Sequence, residues 1–383
     1  MELSKRPDVR FLSELYAQDA PDAILLPEYP SSNTHETRWQ NPDWYIIHDP
    51  FPPPRAELLK VLGPHHLMCA WGRDIPVTSQ VAPPQALLDH WVRVFGDDGC
   101  PTWNAFDETG QYITLFPHES IPANQQVVDP EVNYAVHSKE VIEKIDCPQA
   151  DVLAAVTPPC IVKLSHGYAG LGNFVIRSAA DEAEMQSELL SHWPDATLVV
   201  NSIVENIVGD YGVQFYLRRD GEPLWLGLTE QHFTEEAKWC GGTFSAQLQD
   251  ELFESLRPIV EAAARYLHSQ NVFGVIGIDI LKDSDGGLFL VDVNPRLTGI
   301  TPFLMASRMF AADEGWTEGI YSASCRFAGS LDQLISTAEA AIGGRVLVLS
   351  AFEDDGSTIC HLSASADSQD QARQLLDGIR ASG

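Results

Sequence analysis

Apolar and polar positions alternate with changing period along the chain, and each change of period marks an element. The spacing predicts helices at 8–18, 54–62, 84–95, 181–193, 250–269, 301–311 and 367–380. Short runs rich in Val, Ile, Leu and aromatics predict strands at 23–27, 44–48, 67–71, 159–164, 174–177, 197–204, 345–351 and 358–363. Residues 211–219 and 223–229 read as a hairpin about Arg219-Asp220-Gly221-Glu222. Residues 96–130, rich in Pro, Asp and Gly, read as an irregular connection. Residues 230–245 are polar and glycine-containing with two aromatics, and read as a loop that covers or selects a substrate. The βα alternation of residues 1–130 predicts an open α/β domain. No Gly-x-Gly-x-x-Gly follows its first strand, so a dinucleotide fingerprint is absent.

One stretch breaks the apolar pattern in an informative way. Residues 272–299 hold two nearly continuous apolar runs around Asp283-Ser284-Asp285-Gly286-Gly287, which predicts a hairpin. Each strand carries an acid where an aliphatic residue is expected, Asp279 and Asp292. With Ser284–Gly287 as the loop, Leu281 pairs with Leu290 and Asp279 lies opposite Asp292. Asn294, two residues on, shares their face. Paired carboxylates repel unless a cation lies between them. Two acids and an amide oxygen are hard ligands that suit Mg²⁺ or Mn²⁺. Arg296 follows the strand and can reach an anion held by that metal. A surface hairpin with incidental aspartates would alternate apolar and polar residues, and these flanks do not. A calcium loop counted from Asp283 would need a bidentate Glu at its twelfth position, where Asn294 stands.

Upstream lie features that suit an anion. Ser138 reads as an N-cap, which places Lys139 in a first helical turn, where acids are the usual choice. Lys163 ends a strand that runs into a loop holding Gly167, Gly170 and Gly172, and a second strand follows. That order is neither a Walker A loop nor a Rossmann turn. A glycine hairpin can lie over phosphates and donate backbone N–H groups, while the lysine supplies a point charge. The competing reading is a flexible hairpin with a snorkelling lysine. The chain has only seven lysines, so two beside such features favour binding.

Composition narrows the partners. The chain has 383 residues, enough for two to three domains, and 44% of them are hydrophobic, enough for ordinary cores. A net charge of −30 argues against nucleic acid and anionic membrane as partners, and a nucleotide site would have to gather its cations locally. The N-terminal residues show no apolar signal segment, and no run is long enough to span a bilayer. Seven scattered cysteines without a Cys-x-x-Cys pair suggest reduced thiols in the cytoplasm and no zinc site. His65-His66, without a carboxylate, reads as structural rather than metal-ligating.

Taken in order, these features resemble the ATP-grasp superfamily over residues 137–300. The most specific match is Asp279 with Asp292-Val293-Asn294-Pro295-Arg296, the acids thirteen positions apart. The resemblance implies an α/β (α+β) fold with two β-rich lobes around ATP. The N-terminal domain, 1–130, would precede a small lobe at 131–210 and a large lobe at 211–383. It implies that Lys139, Lys163, Gly167, Gly170 and Gly172 hold phosphates. Glu205-Asn206-Ile207-Val208-Gly209 would be the hinge, with Glu205 and the neighbourhood of Asn206 and Val208 at the adenine and Asp210 a candidate ribose partner. Asp279, Asp292 and Asn294 would hold two Mg²⁺ or Mn²⁺ ions. A small-molecule carboxylate would attack ATP, and an amine would displace phosphate from the acyl phosphate while Arg296 stabilises the tetrahedral centre. The alternatives are a kinase of the same fold, which Arg296 argues against, and a non-catalytic nucleotide-binding regulator, which the intact acid set argues against. Homo-oligomerisation is left open.

Overall fold

The computed structural model describes residues 2–4, 9–29, 55–118, 120–167, 172–234 and 239–382. The predicted strand at 44–48 and Gly170 lie outside them. The chain begins with α1 (Leu12–Asp19) and β1 (Ala23–Leu26), then α2 (Ala56–Met68), α3 (Gln85–Phe95) and β2 (Gln111–Thr114). β1 and β2 pair in parallel, from Ala23 with Gln111 to Leu26 with Thr114, and isolated bridges join Leu25 to Val77 and Val77 to Trp103. The expected strand at 67–71 is instead the end of α2 and a turn with positive φ at Ala70 and Gly72. A five-residue apolar run does not distinguish a buried helix end from a strand. Trp71, Trp91, Leu25 and Val77 are buried in one cluster with Phe303, Tyr321 and Val348, so residues 1–130 share a core with the C-terminal part of the chain. The Trp91 indole N–H donates to the Val348 carbonyl at 3.0 Å across that core.

α4 (Pro130–His137) starts with Pro130 in its first turn and Asp129 capping Glu131 and Val132. Ser138 ends it and caps a 3₁₀ turn, Lys139–Lys144, where a regular helix was expected. A small antiparallel sheet follows, ordered β4-β3-β5, from β3 (Cys160–Leu164), β4 (Asn173–Ile176) and β5 (Leu198–Ser202). α5 (Ala179–His192), held by a Ser178/Asp181 capping box, packs Met185 on Cys160, Val162 and Ile176.

The remainder builds the large lobe from β6 (Ile207–Leu217), β7 (Pro223–Phe233), β8 (Trp239–Ser245), α6 (Ala246–Ser269), β9 (Gly274–Asp283), β10 (Leu288–Asn294), α7 (Thr301–Asp313), β11 (Glu318–Phe327), α8 (Leu331–Glu339), β12 (Gly344–Asp354), β13 (Ser357–Ala366) and α9 (Gln369–Ser382). Among the described residues its sheet has eight strands, all antiparallel, ordered β10-β9-β6-β7-β8-β11-β13-β12. α6 packs Leu256, Ile259 and Val260 against Val213, Phe215, Ile276 and Ile278. Each such burial contributes about 2 kcal/mol. The segment 230–245 is mostly strand, not loop. Its glycines serve close packing: a Cβ on Gly241, at φ +146, would lie 2.1 Å from the Tyr321 carbonyl of β11.

Candidate active site

The acids of β9 and β10 do face each other, but by a different route from the one expected. Near the turn Leu288 pairs with Lys282 and Leu290 with Ile280. A bulge at Val291 then shifts the register, and Asp292 pairs with Asp279. The turn is pulled in by Asp283 Oδ1, which accepts from the Asp285 and Gly287 amides. The bulge takes a carbonyl out of the ladder. That carbonyl, of Val291, accepts a hydrogen bond from Lys163 Nζ at 2.9 Å. The same irregularity therefore aligns two acids and docks a lysine from the small lobe.

Lys139 Nζ lies 2.5 and 2.6 Å from the two carboxylate oxygens of Asp292. The 3₁₀ turn that carries it is tied to the glycine hairpin, since the Lys139 amide donates to the Ser165 carbonyl. Asn294 Nδ2 lies 3.4 Å from both Asp279 Oδ2 and Asp292 Oδ2. The Gln231 amide bridges Asp279 at 2.9 Å and Asp210 at 3.2 Å. Burial pushes the Asp279 carboxyl up to about 8, with the charges of Asp292 and Asp210 adding to it. Burial likewise raises Asp210 to about 6, against the hydrogen bond from Gln231, and lowers Lys163 to about 8.

A divalent cation fits this set. Asp279 resists ionisation because it is buried and its neighbours are acids, and a cation between the carboxylates offsets both costs. Among the described residues no three His, Cys, Asp or Glu side chains converge as a closed metal cage. Two carboxylates and an amide are what Mg²⁺ takes when phosphates and water complete its shell. The amide of Asn294 is oriented by its network, with Oδ1 accepting from Arg296 at 3.2 Å; a half-turn of that amide presents its oxygen to the acids.

Arg296 is buried. It donates to the Leu297 carbonyl, and its guanidinium lies 4.7 Å from the Phe116 ring centre and 5.6 Å from that of Tyr29. Among the described residues its Nε has no hydrogen-bond partner. The chain beyond it is pinned to β6, because Gln214 bonds the Thr298 and Thr301 hydroxyls at 2.6 and 2.7 Å.

Lys139, Lys163, Asp279, Asp292, Asn294 and Arg296 line one cavity of about 840 Å³, together with Asp210 and Gln231. Its apolar wall is Ile161, Val175, Ile203, Val204, Ile207 and Leu281. Glu205, Asn206 and Val208 do not line it; all three are exposed, and the Asn206 carbonyl instead accepts from Ser284 in the β9–β10 turn. The stretch that does line it, Asn201 to Val204, lies just upstream of the expected hinge. Gly167 is buried at the start of the glycine hairpin. Gly172, at φ +73, has no room for a side chain, since a Cβ would meet Leu164 at 2.3 Å. His65 and His66 are buried and bond the Val81 and Gly299 carbonyls, in keeping with the structural reading. Gln231, Trp239 and His361 also line the cavity and were not singled out from the sequence.

A family model, the ATP-grasp domain of L-aspartate–L-methionine ligase, matches residues 125–294. Among curated proteins, the [butirosin acyl-carrier protein]–L-glutamate ligase of Niallia circulans is 21% identical over 66% of this chain and 68% of its own length. The carbamoyl phosphate synthase large chain of Methanothermobacter thermautotrophicus is 23% identical over 51% of this chain, which spans 19% of that protein. The solved ADP complex of N5-carboxyaminoimidazole ribonucleotide synthetase is similar with a TM-score of 0.54 at 11% identity, covering 93% of this chain and 95% of that one. By matched sequence over residues 125–294 and by fold, this chain is similar to ADP-forming ATP-grasp carboxylate–amine ligases.

Proposed function

We propose that the chain activates the carboxylate of an amino acid or peptide as an acyl phosphate at the expense of ATP, and joins it to an amine. The observation that carries this reading is the bulged β9–β10 pair, which sets Asp279, Asp292 and Asn294 together beside Lys139 and Lys163 in one cavity. Ile161, Val175, Ile203, Val204, Ile207 and Leu281 would sandwich the adenine, with Asp210 near the ribose. Lys163 and Lys139 would hold phosphate oxygens, helped by backbone N–H groups of the hairpin that begins at Gly167. Lys139 would leave Asp292 for that purpose once a cation takes its place. Asp279, Asp292 and Asn294 would hold Mg²⁺ or Mn²⁺, two ions in this proposal, which when bound neutralise charge on the phosphoryl group in transfer. Arg296, with its unpartnered Nε, would bind the substrate carboxylate and later the tetrahedral oxyanion.

The family model and the Niallia relative, each named for ligation of an amino acid, support that substrate class. All seven cysteines are free thiols, which accords with a cytoplasmic setting, and no described helix is long and apolar enough to cross a membrane. The test is a panel of amino acids in pairs with ATP and Mg²⁺, read for phosphate and for product mass. Phosphate release that needs two panel members, with a condensed product, supports the reading. ADP formation with no need of an amine contradicts it.

A further inference from the structure

A second group of side chains lines the same cavity and is not used by the phosphoryl transfer proposed above. His361, on β13, faces it beside Trp239, Ser324 and Ile359. The His361 ring packs 4.9 Å from that of His66, which is anchored through Nε2 to the carbonyl of Gly299, three residues beyond Arg296. One His361 nitrogen, Nδ1, lies 2.8 Å from the Tyr321 hydroxyl. Tyr321 is itself held between Trp239 at 5.6 Å and Phe303 at 5.8 Å. The His361 ring is thus held by His66 of α2 and Tyr321 of β11, and among the described residues Nε2 has no hydrogen-bond partner. Burial and the neighbouring His66 hold the imidazole well below its ordinary range, so it stands in the cavity uncharged. In the tautomer whose Nδ1–H donates to the Tyr321 hydroxyl, Nε2 presents a lone pair.

We infer that His361 is the base that takes the proton from the amine nucleophile, with Tyr321 and His66 as positioning residues. The inference rests on the ligase reading above. The amine enters uncharged, and its lone pair forms a C–N bond to the acyl carbon. The nitrogen of the tetrahedral centre is then cationic and acidic. One proton moves from it to His361 Nε2. The C–O bond to phosphate breaks, phosphate leaves with the bonding pair, and the imidazolium returns its proton to water.

The test uses hydroxylamine as an alternative nucleophile. It is uncharged at neutral pH and traps acyl phosphates as hydroxamates with little need of a base. The carboxylate and amine are the amino acids that the panel identifies. In His361→Gln, amide formation should fall about 100-fold while hydroxamate formation keeps pace with the wild type. Equal loss of both, or loss of neither, overturns the assignment. If that variant does not fold, Tyr321→Phe carries the test, and the absence of the same split there overturns the assignment. A wild-type protein that makes neither amide nor hydroxamate overturns the ligase reading itself, a distinct result.

Discussion

The acid-bearing hairpin and the histidine wall border one cavity but are assembled in opposite ways. The hairpin takes its chemistry from residues 279–296, on two adjacent strands and the turn-out after them. The wall draws on His66, Trp239, Tyr321 and His361, from a helix and three strands separated by most of the chain. The hairpin holds charge and lies beside lysines from the small lobe. The wall holds neutral rings and apolar surface. A local hairpin fixes the spacing of its acids through backbone pairing, so its chemistry tolerates little drift. A wall built from distant segments is set by packing, and its residues can change while the fold persists. The first thus suits the step common to a superfamily, and the second suits the choice of substrate.

The largest expected effect is on the hairpin. Asp292→Ala should lower turnover about 10³-fold or more with an unchanged circular dichroism spectrum, because the acid pair can no longer hold a cation against the phosphates. Removal of divalent ions by a chelator should do the same to the wild type, reversibly. Arg296→Lys keeps the charge but loses the planar group that stacks on Phe116 and Tyr29, and kcat should fall about 100-fold.

Gly241→Ala affects packing rather than chemistry. It pushes a methyl into the Tyr321 carbonyl at a positive φ, and thermal unfolding should report a loss of about 2 kcal/mol or more. A pH series probes the buried His65 against the acid pair. Burial lowers His65 to about 4 from an ordinary 6.5, so its neutral form stabilises the fold above the ordinary value. As pH falls from 6.5 towards 4 the unfolded chain takes up a proton that the folded chain refuses, and stability drops. Asp279, raised rather than lowered, acts in the opposite direction over that window. The drop in Tm between pH 7 and pH 5 should therefore be smaller in His65→Gln than in the wild type. The smallest effect is expected at Glu205, which lies outside the cavity: Glu205→Ala should leave KM for ATP within about twofold. A large change there would restore the hinge expected from the sequence.

The legible parts of the sequence are those with a local period or a local motif. Helices α1, α3, α5, α6, α7 and α9 and the hairpins β6–β7, β9–β10 and β12–β13 follow from apolar spacing. The Asp279–Asp292 pairing was legible as well, though through a compensating bulge rather than a regular ladder. Strand β8 was not, because its glycines, which signal a loop in isolation, are there to admit the backbone of β11. Gln231, near the end of β7, was lost in the same segment that read as a loop. The cavity-lining stretch Asn201–Val204 lies just upstream of Glu205–Gly209, the hinge that the resemblance implied. His361 had no local signal: only the pairing of β13 with β11 and the packing of α2 bring it to the cavity.

The central claim is that this cavity transfers a phosphoryl group from ATP to a carboxylate. It is tested most directly with the productive amino acid labelled with ¹⁸O in its carboxylate. One labelled oxygen should appear in the phosphate released on ligation, because the attacking carboxylate oxygen makes the new O–P bond and stays with phosphorus when its own C–O bond breaks. Unlabelled phosphate, with all of the label retained in the product and the unreacted acid, would contradict it.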